Sequence, residues 1–422
     1  MSAAHAISIY LIAAATIGCV LARPRDLPEA VWAMGGAALL LACGLLSPAE
    51  AWEALGKAWD VCLFLAGMML LSELARREGV FDWCAAVAVN RARHSPARLY
   101  WLIYGVGVVV TVFLSNDATA VVMTPAVLAA TRAARVRNPL PYLLACALVA
   151  NAASFVLPIS NPANLVLFGG RLPRLWEWLR MFALPAMVSI VITGWVLYLW
   201  SRNSLEGEVR EPEEKPRLTG SGRLALWGIA IAAAALLAAS AFGWPLGAPA
   251  LAVAVVAVSL AAARDARALR EIPARVSWSV LPMVAGLFMV VEAVDKAGAL
   301  ELCGAALAAL GRMPAWQGSL AGAFGVTALS NLINNLPSGL MAGAAMVRAT
   351  AAPPLRDALL IGVDLGPNLS VTGSLATVLW LIALRRDGVR VSGWSFLKVG
   401  AVVMPAALLA AALASAAIHG AL

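Results

Sequence analysis

Charge is scarce in this sequence. Asp, Glu, Lys and Arg make up 13% of its 422 residues, about half the share of a typical soluble domain, whereas 62% of the residues are hydrophobic. Apolar runs of the kind needed to cross a bilayer recur along the chain, for example at 8–22, 30–46 and 251–263. We therefore predict a polytopic membrane protein. The first run is followed by another span and shows no clear cleavage site, so it is expected to remain in the protein.

The residue types that carry most enzyme and metal chemistry are also few. The six cysteines stand singly in apolar segments without a CxxC pair, and the three histidines lie outside the interrupted segments described below, so no metal site is indicated. None of the four lysines completes a phosphate-binding glycine loop, which argues against ATP-driven pumping. No combination of nucleophile, base and orienting group can be assembled in those interrupted segments. We expect no enzyme and no cofactor.

The chain matches itself at a nearly constant offset, which indicates an internal repeat. Three pairs of segments correspond, namely 66–82 with 285–301, 114–116 with 329–331, and Asn151 with Asn368. Between the halves, residues 201–222 are polar and rich in Pro, Gly and both signs of charge, as in a solvated linker. We predict a first repeat over 1–200, this cytoplasmic linker, and a second repeat over 223–422.

The positions of the basic residues predict the orientation of the repeats. With the predicted spans in place, 23 of the 31 Lys and Arg residues fall on one side, which should be cytoplasmic. This distribution requires that 98–132 and 312–350 each enter and leave on the same side as a re-entrant helical hairpin. About five spans per half remain, and an odd number inverts the second half. Both termini are then external, or periplasmic, for a protein of the inner membrane.

Four segments interrupt apolar helices with Asn, Ser, Thr, Gly and Pro: 115–119, 151–164, 330–339 and 364–374. Two lie in the hairpins, and two lie in helices predicted to be unwound, 140–169 and 357–384. Each break frees backbone N–H and C=O groups, which cost several kcal/mol each when unpaired in hydrocarbon. Such backbone persists around a cavity or a ligand. We predict that the four breaks form one binding site near the bilayer midplane.

Asp117 and Asp364 are carboxylates within these breaks, and no Lys or Arg accompanies them there. Burial without a cation favours either the neutral acid or a carboxylate that binds a cation such as sodium. We interpret both residues as groups that exchange a proton or bind a cation. Capping of a half-helix is the structural alternative. For Glu73 and Glu292, near span ends, a functional role and interfacial snorkelling or pairing are equally compatible with the sequence.

Three segments, 116–125, 330–344 and above all 362–381, resemble the ArsB-type arsenite and antimonite efflux permeases of the ion transporter superfamily. The resemblance extends over about 60–200 and 280–420. It implies two inverted repeats of five spans, each with a re-entrant hairpin, and export of arsenous acid driven by inward protons. The sequence departs from the family at Asn151, where an acidic residue is common, and at Val363, where some members carry a cysteine.

The resemblance also indicates which residues form the site. It places at or beside the site Asn116, Asp117, Thr119, Asn334, Asn335, Asp364, Gly366, Pro367, Thr372 and Ser374. The breaks themselves add Ser115, Asn151, Ser160, Asn161, Asn164, Asn331 and Asn368 as substrate-binding residues. Asp117 and Asp364 are predicted to be the proton-coupling pair.

The predicted substrate is a small hydroxylated inorganic solute. Arsenous acid is uncharged near neutral pH, so amides and hydroxyls can bind it without the cationic group that a dicarboxylate requires. We expect a secondary active transporter that exports arsenite or antimonite in exchange for protons. A sodium/proton antiporter or a sodium-coupled dicarboxylate carrier of the same superfamily is the main alternative, and a passive channel is a second. The expected partners are the solute, protons and the lipid bilayer; a cytoplasmic ATPase subunit is left open, and no nucleic acid is expected.

Overall fold

The computed structural model describes residues 3–169, 172–210 and 217–421, and within these ranges it contains helices and no β-strand. The helices of the first half are α1 Ala3–Ala22, α2 Glu29–Ala42, α3 Pro48–Arg77, α4 Val80–Arg91, α5 Pro96–Phe113, α6 Thr124–Ala133, α7 Leu140–Ala152, α8 Pro162–Phe168 and α9 Leu175–Ser201. Those of the second half are α10 Gly220–Phe242, α11 Gly247–Ala262, α12 Ala268–Arg275, α13 Val280–Lys296, α14 Ala299–Leu310, α15 Ala315–Ile333, α16 Asn335–Ala349, α17 Pro353–Leu365, α18 Leu375–Arg386 and α19 Gly393–Ile418.

Seven segments within the described ranges are long and apolar enough to cross a membrane. They are Ala4–Ala22, Pro48–Arg77, Pro96–Phe113, Leu175–Ser204, Gly220–Phe242, Ala268–Lys296 and Gly393–Ile418. Shorter apolar helices, such as α2 and α11, lie between them. The predicted all-helical, multi-pass architecture is confirmed.

The second half repeats the helix order of the first, with one difference: α12 and α13 take the place of the continuous helix α3. Gly79 and Gly298 occupy equivalent turns, between α3 and α4 and between α13 and α14. Both have positive φ, 72° and 90°, a conformation that glycine adopts without steric cost. This order is consistent with the predicted inverted repeat.

One group of helices, α1 to α3 with α10 to α13, packs together and is called the scaffold group here. Its two halves cross at glycines: a Cβ on Gly67 would lie 2.5 Å from the carbonyl carbon of Ala250, and a Cβ on Gly286 would lie 2.7 Å from that of Ala33. The absence of a side chain at Gly67 and Gly286 therefore allows α3 and α13 to touch the backbone of the opposite half.

The remaining helices, α4 to α9 and α14 to α19, form the hairpin group, in which α9 packs along α19 and α5 and α15 pack along α7 and α17. The predicted hairpins coincide with α5 to α6 and with α15 to α16, each a pair of helices joined by a short turn. The predicted unwound helices coincide with α7 to α8 and with α17 to α18, each interrupted by non-α-helical residues. Whether both ends of each hairpin lie on one side of the membrane stays a prediction.

Ionic residues separate to two ends of the scaffold group. At one end, called the arginine-rich face, Arg77 pairs with Glu78, Asp265 and Glu271. Arg77 thereby lowers the pKa of the exposed Asp265 carboxyl. At the other end, Lys57 pairs with Glu292 (2.9 Å). The assignment of these two ends to the two sides of the membrane stays a prediction.

The predicted linker is docked in part. Val209 is 1% exposed, and its N–H donates to the carbonyl of His94 (3.2 Å). The N–H of Arg210 donates to the carbonyl of Ala134 (3.0 Å), so the segment bonds to both ends of the first hairpin. The prediction of a fully solvated linker is therefore wrong in part, because this stretch packs against the protein. Residues 211–216 of the predicted linker lie outside the described residues, as do 1–2, 170–171 and 422.

Candidate substrate and proton-coupling site

The four breaks meet at one small cavity of about 20 Å³, between the hairpin group and the scaffold group. Each break contributes at least one polar residue to the lining, and α3 and α13 contribute one apolar residue each. The lining residues are Leu65, Asn116, Asp117, Asn161, Pro162, Val280, Asn335, Leu336, Ser374, Leu375 and Ala376. Five predicted site residues are therefore brought together: Asn116, Asp117, Asn161, Asn335 and Ser374.

Helix capping explains why Asn161 and Ser374 stand at the ends of the breaks. The side chain of Asn161 accepts from the Ala163 N–H (3.0 Å) at the start of α8, and Ser374 accepts from the Thr377 N–H (3.3 Å) at the start of α18. Asn and Ser are favoured N-cap residues because their oxygens satisfy amide groups left free at a helix start. Each broken helix thus restarts beside the cavity.

The hairpin tips are capped in the same way. The Ser115 hydroxyl accepts from the Ala118 N–H (3.1 Å), and the Asn334 side chain accepts from the Leu336 N–H (3.4 Å). In the first hairpin, a π-helical turn over Ala118–Met123 precedes α6. Thr119 in this turn contacts the Thr111 hydroxyl (2.8 Å). Thr119 therefore bonds within the hairpin and does not line the cavity.

A wider cavity of about 450 Å³ connects the small cavity with the arginine-rich face. Ser115 and Asp117 lie in its wall at the inner end, and Arg76, Arg275 and Arg386 lie in its wall at the ends of α3, α12 and α18. Asp117 lines both cavities, and its carboxylate accepts no hydrogen bond from the described residues. Asp117 is thus open to a solute, a proton or a cation.

Asp364 has different surroundings, because it is 0% exposed and lines neither cavity. The Ser154 hydroxyl lies 2.7 Å from its Oδ2, and the Asn161 amide donates to its Oδ1 (2.9 Å). Both partners belong to the break of the first half. Asn161 also lines the small cavity, so it separates Asp364 from Asp117.

An amide chain joins the two unwound helices. Asn368 donates to the carbonyl of Leu148 (2.9 Å), and Asn151 donates to the side-chain oxygen of Asn368 (3.0 Å). The Leu148 carbonyl can only accept, so it fixes the orientation of both amides. Asn151 and Asn368, which correspond in the predicted repeat, thus contact each other directly across the two halves.

Other predicted residues of the first break bond to the protein's own backbone. Asn164 donates to the carbonyls of Ser154 (3.0 Å) and Leu157 (3.3 Å), and Ser160 donates to that of Val112 (3.0 Å). Helix α9 supplies further donors: Ser189 bonds the Ala152 carbonyl, and Trp178 bonds the Phe155 carbonyl. Protein side chains thus satisfy many of the carbonyls that the break frees.

The second half is held by a similar network. Asn331 donates to the Gly366 carbonyl (3.0 Å), and Thr372 donates to the Asn331 carbonyl (3.0 Å). Asn334 donates to the Thr372 carbonyl at 3.4 Å. Gly366, Pro367 and Asn368 form a buried 3₁₀ turn against α15. Like Asn164 and Ser160, these residues support the cavity from behind and do not line it.

Comparison with known proteins identifies the family. A family model described as a citrate transporter, CitMHS, matches residues 11–363. The chain belongs to this family. The resemblance to ArsB-type transporters of the ion transporter superfamily is also confirmed.

Relatives of this CitMHS transporter include arsenical pump membrane proteins. That of Escherichia coli (strain K12) is 26% identical over 411 residues, covering 92% of this chain and 93% of that protein. That of Yersinia enterocolitica is 27% identical over 402 residues, covering 90% and 91%. The crystal structure of the Alcanivorax borkumensis YdaH transporter matches with a TM-score of 0.56 at 14% identity, covering 88% of this chain and 87% of that one. This last likeness concerns the fold.

Sequence reasoning missed several residues of the site in this CitMHS transporter. Ser154 lies inside a predicted break, three residues after Asn151, and could have been included on that ground. Leu65 and Val280 lie on scaffold helices far from the breaks in sequence, and nothing local marks them. The arginines at the outer end of the wider cavity also lie outside the breaks, although they flank the path to Asp117.

Proposed function

We propose that this CitMHS transporter exports trivalent arsenite and antimonite across the inner membrane in exchange for protons. The observation that carries the proposal is the convergence of all four breaks on one cavity whose polar groups are amides, a hydroxyl and a single carboxylate. An uncharged solute with three hydroxyls can exchange hydrogen bonds with such groups and requires no cationic partner. The relatives named as arsenical pump membrane proteins support the same substrate class.

Asp117 is proposed to act at the solute. It lines both cavities and has no protein hydrogen-bond donor to its carboxylate, so it can accept hydrogen bonds from a hydroxylated solute or bind a proton in its place. Competition between the two ligands for one group would couple solute binding to proton binding, because each ligand lowers the affinity for the other by the same factor.

Asp364 is proposed to carry the second proton-binding role. It is enclosed between the two unwound helices, and its neighbours Ser154 and Asn161 are uncharged. A buried carboxyl with neutral partners is stable as the acid and costly as the ion, so its protonation state is linked to the packing around it.

Movement of the hairpin group against the scaffold group is proposed to alternate access. The small cavity is bounded on one side by the apolar residues Leu65 and Val280 of the scaffold, a surface along which polar groups can slide without breaking hydrogen bonds. The wider cavity leads to the arginine-rich face, which we assign to the cytoplasm. This conformation then corresponds to the state that loads solute from inside the cell.

The test is proton-driven arsenite uptake into everted membrane vesicles from cells without their own exporter. Saturable uptake that collapses with an uncoupler is expected for the wild type, and a loss of at least about 10²-fold is expected for both Asp117→Asn and Asp364→Asn, as for removal of an essential proton carrier. Glu53→Gln, which changes an exposed carboxylate on the opposite face, is the matched control and should retain uptake. Uptake that persists in both aspartate variants would reject the coupling roles.

A carboxylate substrate is the second candidate, because three arginines line the wider cavity, of which Arg76 is paired with Glu73 of the same wall, and the family model is described as a citrate transporter. The same vesicles distinguish the two. Counterflow of citrate or a dicarboxylate without arsenite uptake would favour the anion carrier, with sodium dependence tested by replacement with potassium. Arsenite uptake without citrate counterflow would favour the arsenite exporter.

A further inference from the structure

We propose that Ser154 is a positioning residue that transmits the protonation state of Asp364 to the break of the first half at Asn151. This inference rests on the proposed proton coupling at Asp364. It identifies the group through which the proton acts on the fold.

The inference begins with the single hydrogen of the Ser154 hydroxyl. Its oxygen lies 2.8 Å from the carbonyl oxygen of Asn151 and 2.7 Å from Oδ2 of Asp364. A hydroxyl has one hydrogen to donate, and the carbonyl can only accept. Both contacts are full, unshared hydrogen bonds at once only when Asp364 carries a proton on Oδ2 and donates it to Ser154.

The other polar groups around Asp364 cannot change direction. Asn161 accepts the Ala163 N–H through Oδ1, so its amide nitrogen faces Asp364 in every protonation state. The amides of Asn151 and Asn368 are held by the Leu148 carbonyl. Among these partners, the Ser154 hydroxyl alone can turn in response to a proton.

Other titratable groups on the helices packed around α17 do not contact this carboxyl. The hydrogen bonds of the Asp364 side chain within the described residues are those with Ser154 and Asn161. The titratable and charged groups on the surrounding elements are Asp117, Tyr142, Cys146, Glu177, Arg180, Tyr198, Arg348, Arg356, Asp357, Lys398 and His419. Asp357 lies two turns away on α17 and is paired with Arg356 and His419.

Two arrangements follow. With Asp364 protonated, Asp364 donates to Ser154 and Ser154 donates to the Asn151 carbonyl. With Asp364 ionised, the Ser154 hydroxyl turns to the carboxylate, because a hydrogen bond to a charged acceptor is stronger. The Asn151 carbonyl then keeps only backbone N–H donors, those of Ser154 (3.3 Å) and Ala153.

The Asn151 carbonyl is well placed to pass this change on. The neighbouring freed carbonyls of Ala152 and Phe155 have permanent donors, Ser189 and Trp178. Asn151 also contacts the second half through Asn368. Loss of its hydroxyl donor therefore loosens the break at the point where the two unwound helices meet.

The first experiment needs no solute. Infrared difference spectra of the purified full-length protein follow the carboxylic acid C=O stretch as pH is changed, and Asp364→Asn assigns the band. In Ser154→Ala the midpoint should move by about one pH unit, which is tenfold in proton concentration, because the ionised form loses a charge-assisted bond. Ser154→Cys, with a weaker donor of similar shape, should give a smaller shift.

Ser189→Ala is the matched control. It removes another fully buried hydroxyl that donates to a carbonyl of the same break but does not touch Asp364. In this variant the C=O band of Asp364 should titrate as in the wild type. An unchanged midpoint in Ser154→Ala, or an equal shift in Ser189→Ala, would overturn the proposal.

The second experiment measures the pH profile of arsenite uptake in vesicles. Ser154→Ala should move the profile to higher pH, whereas Ser189→Ala should lower the rate without moving it. If wild-type vesicles transport no arsenite, the proposed function fails while the infrared titration still decides the role of Ser154. If uptake occurs and neither the profile nor the band moves in Ser154→Ala, the role of Ser154 fails alone.

Discussion

At the tip of the second hairpin, Asn334 has φ 78° and ψ 154°, a region of backbone conformation that is populated almost only by glycine. Its side chain holds this conformation in place by accepting from the Leu336 N–H and donating to the Thr372 carbonyl. Strain of this kind commonly lies at functional sites, because the surrounding structure must hold it. Asn334 adjoins the cavity residue Asn335, so the tip beside the cavity has a backbone conformation that costs energy for a residue other than glycine.

Substitution of Asn334 separates strain from side-chain bonding. Asn334→Ala keeps the strain and loses both bonds, so the apparent unfolding free energy in detergent should fall by roughly 1–3 kcal/mol. Asn334→Gly loses the same bonds but relieves the backbone, so it should be more stable than Asn334→Ala. Thermal unfolding of the two variants measures the difference. Equal stability would mean that the tip is not strained.

The two aspartates illustrate what could be predicted at the level of single residues. Scarcity of charge marked Asp117 and Asp364 in the sequence. Their different surroundings could not be predicted, because Asp117 faces a cavity formed by other segments and Asp364 is enclosed by Ser154 and Asn161, more than two hundred residues away. The first property is local and the second depends on tertiary packing.

Among the helices, the crossings at Gly67 and Gly286 determine how closely the two halves of the scaffold group approach. A Cβ on Gly67 would meet the backbone of Ala250, which cannot rotate away as a side chain can. Close helix contact through small residues is a main source of stability where lipid removes the hydrophobic driving force.

Gly67→Ala should therefore destabilise the protein, despite the higher helix propensity of alanine. We expect a loss of about 1–3 kcal/mol, as for overpacking of a filled core. Gly56→Ala is a matched control in the same helix, because a Cβ there meets no atom within 4 Å. It should be neutral or stabilising by up to about 1 kcal/mol. Thermal unfolding in detergent compares the two, and equal destabilisation would contradict the packing interpretation.

Helix breaks were predictable from the sequence because Pro, Gly and capping residues act locally. The restarts at Asn161 and Ser374 fall within predicted breaks for this reason. The division between α12 and α13 was not predicted, since residues 276–279 carry neither Pro nor Gly. The docking of Val209 was also missed, because it depends on hydrogen bonds to loops far away in sequence.

Across the whole molecule, the path to Asp117 opens on one face. The wider cavity reaches the arginine-rich face and contains Ser277, which is exposed at its wall. If this face is cytoplasmic, a group at this position is accessible to water from inside the cell and not from outside.

Cysteine labelling tests this sidedness. In a background with the six native cysteines replaced, Ser277→Cys should react with a membrane-impermeant thiol reagent in everted vesicles and not in intact spheroplasts. Glu53→Cys, at the opposite end of α3, should show the reverse. Addition of solute should slow the reaction at position 277 if the cavity closes during transport. Labelling of both positions from the same side would contradict the proposed orientation.

The convergence of four breaks on one cavity also determines when the site can form during synthesis of the chain. Residues 116–117 and 161–162 leave the ribosome long before 335–336 and 374–376, which complete the lining. At ~5–20 residues per second, on the order of 10–50 s separates the first of these segments from the last. During that interval the nascent chain holds polar residues in the membrane without their partner wall. The site therefore exists only once nearly the whole chain has been synthesised, and truncated products lack it.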